Sequence, residues 1–446
     1  MIAYLRSLTL RNIVSPYGLA AISYCIFLFA WLFPPGLYTQ YIEEPDLMFL
    51  DPSTFVFFSC CVGAFLLGVR FVTLWHVKEP DELSIDKSAE MPLLYLVIPI
   101  VVSTVLCAVY MVMTGSRLNS LTLLAAQQGN LIKIANQTET QSTKWAIAPV
   151  VLTAVLWWSF FRSHELKLAP VSKFIFNLIC AIGALVGIIT CVVTVDRTSM
   201  MPLIAGLFII YVYWKAQVKN VSLRKLLFMG TASMLSLVGG FLALSFLRGA
   251  LVLRLLLISL LGYSIVSYNR LAALLAGIMH YAYAGRGVYL ATVLEEKTGL
   301  QSFFGWPNTL DLWRSEFSST FTAGLNSFFI WSGAFGYLYS DIGWWTLLYL
   351  FLIGILAGWL WRRFRSGLLS GLILYPWMGF SILFWIGWNL LFDGRALRFI
   401  GCMVLLWIYE SIFLRRGIVI PENQGVAYVN DRMSRPIVGD RTGGTS

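Results

Sequence analysis

Long apolar runs recur along the chain from near residue 17 to near residue 414, separated by short polar intervals. Runs of roughly 17 to 25 residues are long enough to cross the hydrocarbon of a bilayer as helices. They predict spans near 17–37, 53–75, 92–113, 145–161, 174–195, 200–214, 226–247, 343–361, 367–388 and 397–414. Two further stretches, "LRLLLISLLGYSIVSY" and "FTAGLNSFFIWSGAFGYLY", are each able to dip into or cross the membrane, and as a pair they leave the parity of everything downstream unchanged. The expected fold is all-α, a polytopic integral membrane protein of about ten to twelve transmembrane helices. Residues 1–414 are expected to form one transmembrane domain, and the polar, aperiodic stretch 415–446 a disordered cytoplasmic tail.

Composition agrees with the pattern. Of the 446 residues 58% are hydrophobic and only 12% charged, against about a quarter in a soluble domain. No polar interval is long enough for a separate soluble catalytic domain. The formal charge of +10 raises the question of a nucleic-acid partner, but basic residues in a membrane protein first serve to hold loops on the cytoplasmic side. With "YLRSLTLRN" placed inside, alternate loops collect Arg162, Lys167 and Lys173, then Lys215, Lys219, Arg224 and Lys225, then Arg362, Arg363 and Arg365, and finally Arg415 and Arg416. Both termini are then cytoplasmic, no nucleic acid is expected, and the outer loops fall at about 38–52, 114–144, 196–199, 248–342 and 389–396. The first span lacks a small-residue cleavage site and is expected to be retained. The seven cysteines lie in apolar runs, which implies neither a disulfide framework nor a metal site. No P-loop, Rossmann glycine pattern, HExxH or CxxC occurs, so neither a cofactor nor a metal is expected.

The basic residues on the outer side need a different explanation. Snorkelling to lipid phosphates accounts for Arg117, Arg248 and Arg254. Arg197, Arg270, Arg286 and Arg314 are instead interleaved with Asp196, Asn269, Tyr281, Tyr283, Asp311 and Trp313. An ionisable group at membrane depth is a functional-site candidate by default, and converging guanidiniums suit a phosphate or pyrophosphate, which they grip bidentately. In "YNRLAALLAGIMHYAYAGRGVYL", Tyr268 to Leu290, a continuous helix would put Asn269 with His280 on one face and Arg270 with Tyr281 on the next stripe, about three turns apart, across a floor of Ala and Gly. The chain has three histidines, and His280 alone falls on the outside. Two readings stay open for it, an interfacial histidine satisfied by a neighbour and a general base suited to neutral pH. Arg286 is either a further phosphate contact or an interfacial anchor. Downstream, "FFGWPNTLDLWRSEF" adds Asp311, Trp313 and Arg314, and "YSDIGWW" adds Asp341, an alternative base or a partner for an arginine.

The "YNR" and "GxGxY" signatures (Tyr268, Asn269, Arg270; Gly285, Gly287, Tyr289), the "DRTSMMPLIAGLFIIYVYW" corner with Asp196 and Arg197, and "NSFFIWSGAFGYLYSDIGWWTLLYLFLIGILAGWLW" resemble the Wzy-type oligosaccharide repeat-unit polymerases of bacterial O-antigen and exopolysaccharide synthesis. In motif the resemblance covers about residues 194–215 and 263–361, and Arg286 departs from the small or hydroxyl residue expected between the two glycines. It implies a GT-C-like membrane glycosyltransferase with a long periplasmic loop, in the bacterial inner membrane. Its substrates would be undecaprenyl-pyrophosphate-linked oligosaccharides, its setting the lipid bilayer, and a chain-length regulator and a flippase of the same pathway would be further partners. On that reading His280, Arg270 and Arg197 carry the chemistry, while Asn269, Tyr281, Arg286, Asp311, Trp313, Arg314 and Asp341 bind substrate. An O-antigen ligase uses the same donor and is the nearest rival. A flippase or transporter would instead favour broken or charged helices near the midplane of both halves and a repeat between them.

Overall fold

A computed structural model describes residues 10–48, 51–74, 93–117, 119–126, 128, 131–132, 147–165, 168–217, 239, 246, 258, 261–262, 264–290, 305–307 and 309–417. Over these residues the regular structure is helical: α1 Leu10–Ile13, α2 Pro16–Trp31, α3 Pro35–Ile42, α4 Pro52–Leu74, α5 Leu93–Arg117, α6 Ser120–Ala125, α7 Ala148–Glu165, α8 Pro170–Val193 and α9 Arg197–Gln217. There follow α10 Ile265–Leu275, α11 Thr309–Thr322, α12 Gly333–Ile342, a 3-10 turn at Gly343–Trp345, α13 Thr346–Arg365, α14 Leu369–Leu383 and α15 Gly394–Gly417. Contacts group the chain into two compact units, Met1–Val404 and Leu405–Ser446.

The protein is a multi-pass, all-α membrane protein, but the expected ten to twelve crossings are corrected. Among the described residues five helices are long and apolar enough to cross a membrane: Pro52–Leu74, Leu93–Arg117, Pro170–Val193, the composite Gly333–Arg365 and Gly394–Phe413. A sixth is counted if α2 and α3, bent by 86° at their junction, form one broken span. That bend interrupts the run expected at 17–37 and falls at Pro34 and Pro35, where rings replace backbone N–H donors. The GT-C-like fold, which was implied by the resemblance and expected together with that count, is corrected with it. The run at 226–247 and the 415–446 tail lie outside the described residues, apart from the last turn of α15 and residues 239 and 246.

Apolarity overcounted crossings because it also marks residues buried inside protein. α14 is 15 residues long, about 22 Å at the helical rise, short of the roughly 30 Å hydrocarbon layer. It is buried on nearly every side, packed by α2, α7, α9 and α13. A helix that is apolar all round and enclosed by other helices is core. The apolar stretch Ser199–Lys215 of α9 is likewise shorter than the crossing helices.

Among the described residues, α4 and α13 approach one another backbone to backbone. A Cβ on Gly68 would lie 2.0 Å from the Phe351 carbonyl oxygen, and one on Gly354 would lie 2.1 Å from that of Phe65. The run "GILAG", Gly354 to Gly358, thus lets two backbones touch, as small-residue spacing does between helices in lipid. α10 packs on α4 of this pair, and also on α2 and α12. α10 is short but buried from Ile265 to Leu274, and it carries Asn269 and Arg270 into that interior.

Candidate functional site

The opening stretch divides into two parts. α10 stops at Leu275, and the chain leaves it through a Schellman closure: the Ile278 N–H donates to the Ala273 carbonyl at 2.9 Å and the Gly277 N–H to that of Leu274 at 3.1 Å, with Gly277 at φ +69. The continuous helix expected through His280 is therefore corrected. Asn269 and His280 share no helical face, and neither do Arg270 and Tyr281.

Arg270 and Asn269 belong to a buried clamp. The Arg270 guanidinium forms a salt bridge with Glu44 in which both side chains are 0% exposed. Its Nη2 donates to Glu44 Oε2 at 2.8 Å and to the Asn326 carbonyl at 2.8 Å, and its Nε donates to the Phe329 carbonyl at 2.9 Å. The Tyr38 hydroxyl donates to Glu44 Oε1, and the Asn326 N–H donates to Oε2 at 2.8 Å. Asn269 completes the clamp: its Nδ2 donates to Glu44 Oε1 at 3.0 Å and to the Pro45 carbonyl at 3.0 Å, and its Oδ1 accepts the Leu47 N–H at 2.7 Å. Burial pushes the Glu44 carboxyl upward, but the hydrogen bonds and charge of Arg270, with smaller help from Tyr38 and Asn326, outweigh it and hold the group below the usual carboxylate range. The clamp ties α10 to the loop after α3 and to the loop before α12.

The second part, residues 276–290, runs over an aromatic floor. Tyr281 stacks on Tyr337 at 5.3 Å, with planes 9° apart; Tyr289 lies 5.0 Å from Tyr337, and Trp388 4.6 Å from it. The Tyr281 hydroxyl donates to the Ile330 carbonyl at 3.0 Å. Burial pushes that phenol far above its ordinary range, which makes it a wall and not a proton donor at neutral pH. Met279, Val288 and Leu312 of α11 complete the same cluster, so α11 and the loop share one core. Buried Glu316 accepts from the Tyr337 hydroxyl at 3.3 Å.

The "GRG" turn is bound to this floor from beneath. Gly285 and Gly287 take φ +76 and +75, a region that costs glycine no strain. The Tyr289 N–H donates to Asp341 Oδ2 at 2.6 Å, with the N–H groups of Gly285, Gly287 and Leu290 close by. Asp341 Oδ1 is buried with no hydrogen-bond partner among the described residues. Above the turn, Trp306 Nε1 donates to the Arg286 carbonyl at 2.8 Å, and the Arg286 guanidinium lies over the Tyr283 ring at 5.4 Å.

The candidate residues therefore fall into three groups. Asn269 and Arg270 are enclosed in the clamp. Tyr281 and Asp341 build the floor and hold the turn. His280, Arg286, Asp311 and Arg314 are exposed on the two segments that share the floor, with Asp311 and Arg314 paired loosely at 3.9 Å and Trp313 edge-on to Phe317 at 4.7 Å. Arg197 begins α9, and its side chain lies outside the described residues; Asp196 beside it accepts from the Ser199 hydroxyl at 2.5 Å, and Val195 takes φ +52 in the expected tight corner. Among the described residues no group of three or more His, Cys, Asp or Glu is placed to hold a metal ion.

Glu44, Asn326 and Tyr337 were not singled out by the sequence. A signal for Glu44 did exist: "YIEEPD" puts acids in a loop expected on the same side as the unexplained arginines, with the opposite charge. No family model, no curated protein and no solved structure matches the chain.

Proposed function

We propose that the protein is a membrane glycosyltransferase that lengthens a polysaccharide by joining undecaprenyl-pyrophosphate-linked oligosaccharide repeat units at the periplasmic face of the bacterial inner membrane, with both termini cytoplasmic. The observation that carries this reading is that exposed Arg286, Arg314 and His280 lie on the two segments that share the buried tyrosine floor. Cations beside apolar and aromatic surface suit a ligand that is at once anionic, lipid-bound and sugar-bearing. A chain-length regulator and a flippase of the same pathway are the partners this function calls for.

In the proposed step an acceptor hydroxyl attacks the anomeric carbon of the donor sugar. The new C–O glycosidic bond forms as the bond from that carbon to the pyrophosphate oxygen breaks, and lipid pyrophosphate leaves with the electron pair. Arg286 and Arg314 balance the charge that grows on the leaving group, while His280 takes the hydroxyl proton. Arg270, spent on Glu44, acts as a positioning residue that holds α10 and hence the start of the loop.

The test is extension of synthetic undecaprenyl-pyrophosphate repeat units by the purified protein in lipid nanodiscs, without nucleotide. A ladder of products from the wild type, lost in His280→Ala and in Arg286→Ala/Arg314→Ala at unchanged expression, supports the proposal. Transfer only to a lipid A acceptor assigns the ligase reaction instead, and no transfer to any acceptor sinks the enzymatic reading.

A further inference from the structure

α7, α8 and α9 pack against one another yet leave a groove of about 530 Å³ between them, lined by Leu156, Phe160, Cys180, Ala184, Ile204 and Phe208 among others. That volume falls within the roughly 300–1,000 Å³ of small-molecule sites. The lining is apolar apart from the Asn177 amide, the Cys180 thiol and the Tyr211 hydroxyl. On its outer side α8 exposes Phe174, Leu178, Ile182 and Leu185, a face suited to lipid.

One end of the groove is cationic. The His164 ring packs edge-on against Phe160 at 4.9 Å and stacks on Trp214 at 5.4 Å. Lys215 Nζ lies over the Tyr211 ring at 5.6 Å, and both Lys173 and Lys215 are within electrostatic reach of His164. The one acid in this part of α7, Glu165, pairs with Arg162 at 2.6 Å. These lysines begin α8 and close α9, at the end that charge distribution assigns to the inner side of the membrane.

We propose that this groove holds one acyl chain of an anionic membrane phospholipid, whose phosphate is gripped by Lys173 and Lys215 beside His164. The apolar slot takes the chain, and the cationic end selects the headgroup, as basic pockets between transmembrane helices do. The site is separate from the tyrosine floor and does not depend on the activity proposed for it.

The full chain, reconstituted in nanodiscs, is exposed to phosphatidylglycerol or phosphatidylcholine carrying a photoactivatable acyl chain, and the labelled peptides are mapped by mass spectrometry. The phosphatidylglycerol probe is expected to label residues 177–184 and 204–211 in clear preference to phosphatidylcholine. Lys173→Gln and Lys215→Gln should each lower that preference by about fivefold, with the melting temperature unchanged. Ala184→Phe, which fills the slot, should abolish labelling there by both lipids while labelling of the α4 surface continues. Equal labelling by the two lipids overturns the proposal. So does a cross-link from Cys180 to residues 226–247 or to a second copy of the chain, since protein would then occupy the groove.

Discussion

Arg270 and Arg286 lie in one short stretch of sequence, and the fold uses them in opposite ways. Arg270 is enclosed, its guanidinium committed to Glu44 and to the carbonyls of Asn326 and Phe329. Arg286 is exposed, held through its backbone by Trp306 and through its neighbours by Asp341. A charge taken fully out of water must be paired and hydrogen-bonded, so Arg270 can anchor a loop but has little left for a ligand. A charge on a braced exposed turn keeps its donors for whatever approaches. The lesson is that a cation in an apolar segment marks a functional site only after its partner has been sought.

The sharpest test of this contrast is removal of one clamp partner. Glu44→Ala leaves the Arg270 guanidinium buried without its carboxylate and should cost about 3–5 kcal/mol, read as a large fall in the detergent melting temperature. Glu44→Ala combined with Arg270→Met should recover much of that loss, and the double-mutant cycle gives the coupling. If the single variant melts like the wild type, the clamp is not structural and the comparison fails.

Asp341→Asn should come next, at about 1–3 kcal/mol, because an amide offers the "GRG" backbone a poorer acceptor than a carboxylate. Here the local readout matters more than the global one: proteolysis within residues 276–290 should quicken while the clamp stays intact. Unchanged cleavage would show that Asp341 does not brace the turn.

Acid should distinguish the two regions by titration. The folded Glu44 carboxyl lies below its ordinary value, so at mildly acidic pH the unfolded chain binds the more protons. The stabilisation from Glu44 is therefore full above the unfolded value of about 4.3 and is lost as pH falls through the lower folded value. Melting temperature measured downward from pH 6 should drop in that window, and Glu44→Gln should flatten this part of the profile. A drop of equal size in the Gln variant assigns the acid sensitivity elsewhere.

Smallest in stability are the rim substitutions. His280→Ala and Arg286→Ala should shift unfolding by no more than about 0.5 kcal/mol. In the extension assay, however, loss of Arg286 is expected to cost about 10²–10³-fold and loss of His280 about 10²–10⁴-fold. Rim variants that melt early but keep full activity would reverse the roles given to the two regions.

Helix positions were legible wherever an apolar run coincided with a helix, as at α4, α5 and α8. Their number as crossings was not, because the run that formed α14 is apolar for burial among four helices and not for contact with lipid. The end of α10 was legible in principle: Gly277, with Ile278 after it, is a helix-stop signal, but the Ala and Gly around it also suited a smooth helical face. Glu44 was harder. Nothing local links residue 44 to residue 270, and only the packing of α10 against the first helices makes them neighbours.

Residue pattern alone was enough for the helical membrane class; it also gave an expectation of sidedness, from the basic loops, and marked the cations that stand apart from that pattern. Those properties are sums over local transfer free energies, and a linear chain carries them without being folded. The tertiary structure decided which of those cations is spent and which is available, because burial and partnership depend on what distant segments bring. Arg270 met a carboxylate in the interior, whereas Arg286 was lifted to the surface on a turn that two glycines and one buried aspartate hold in shape.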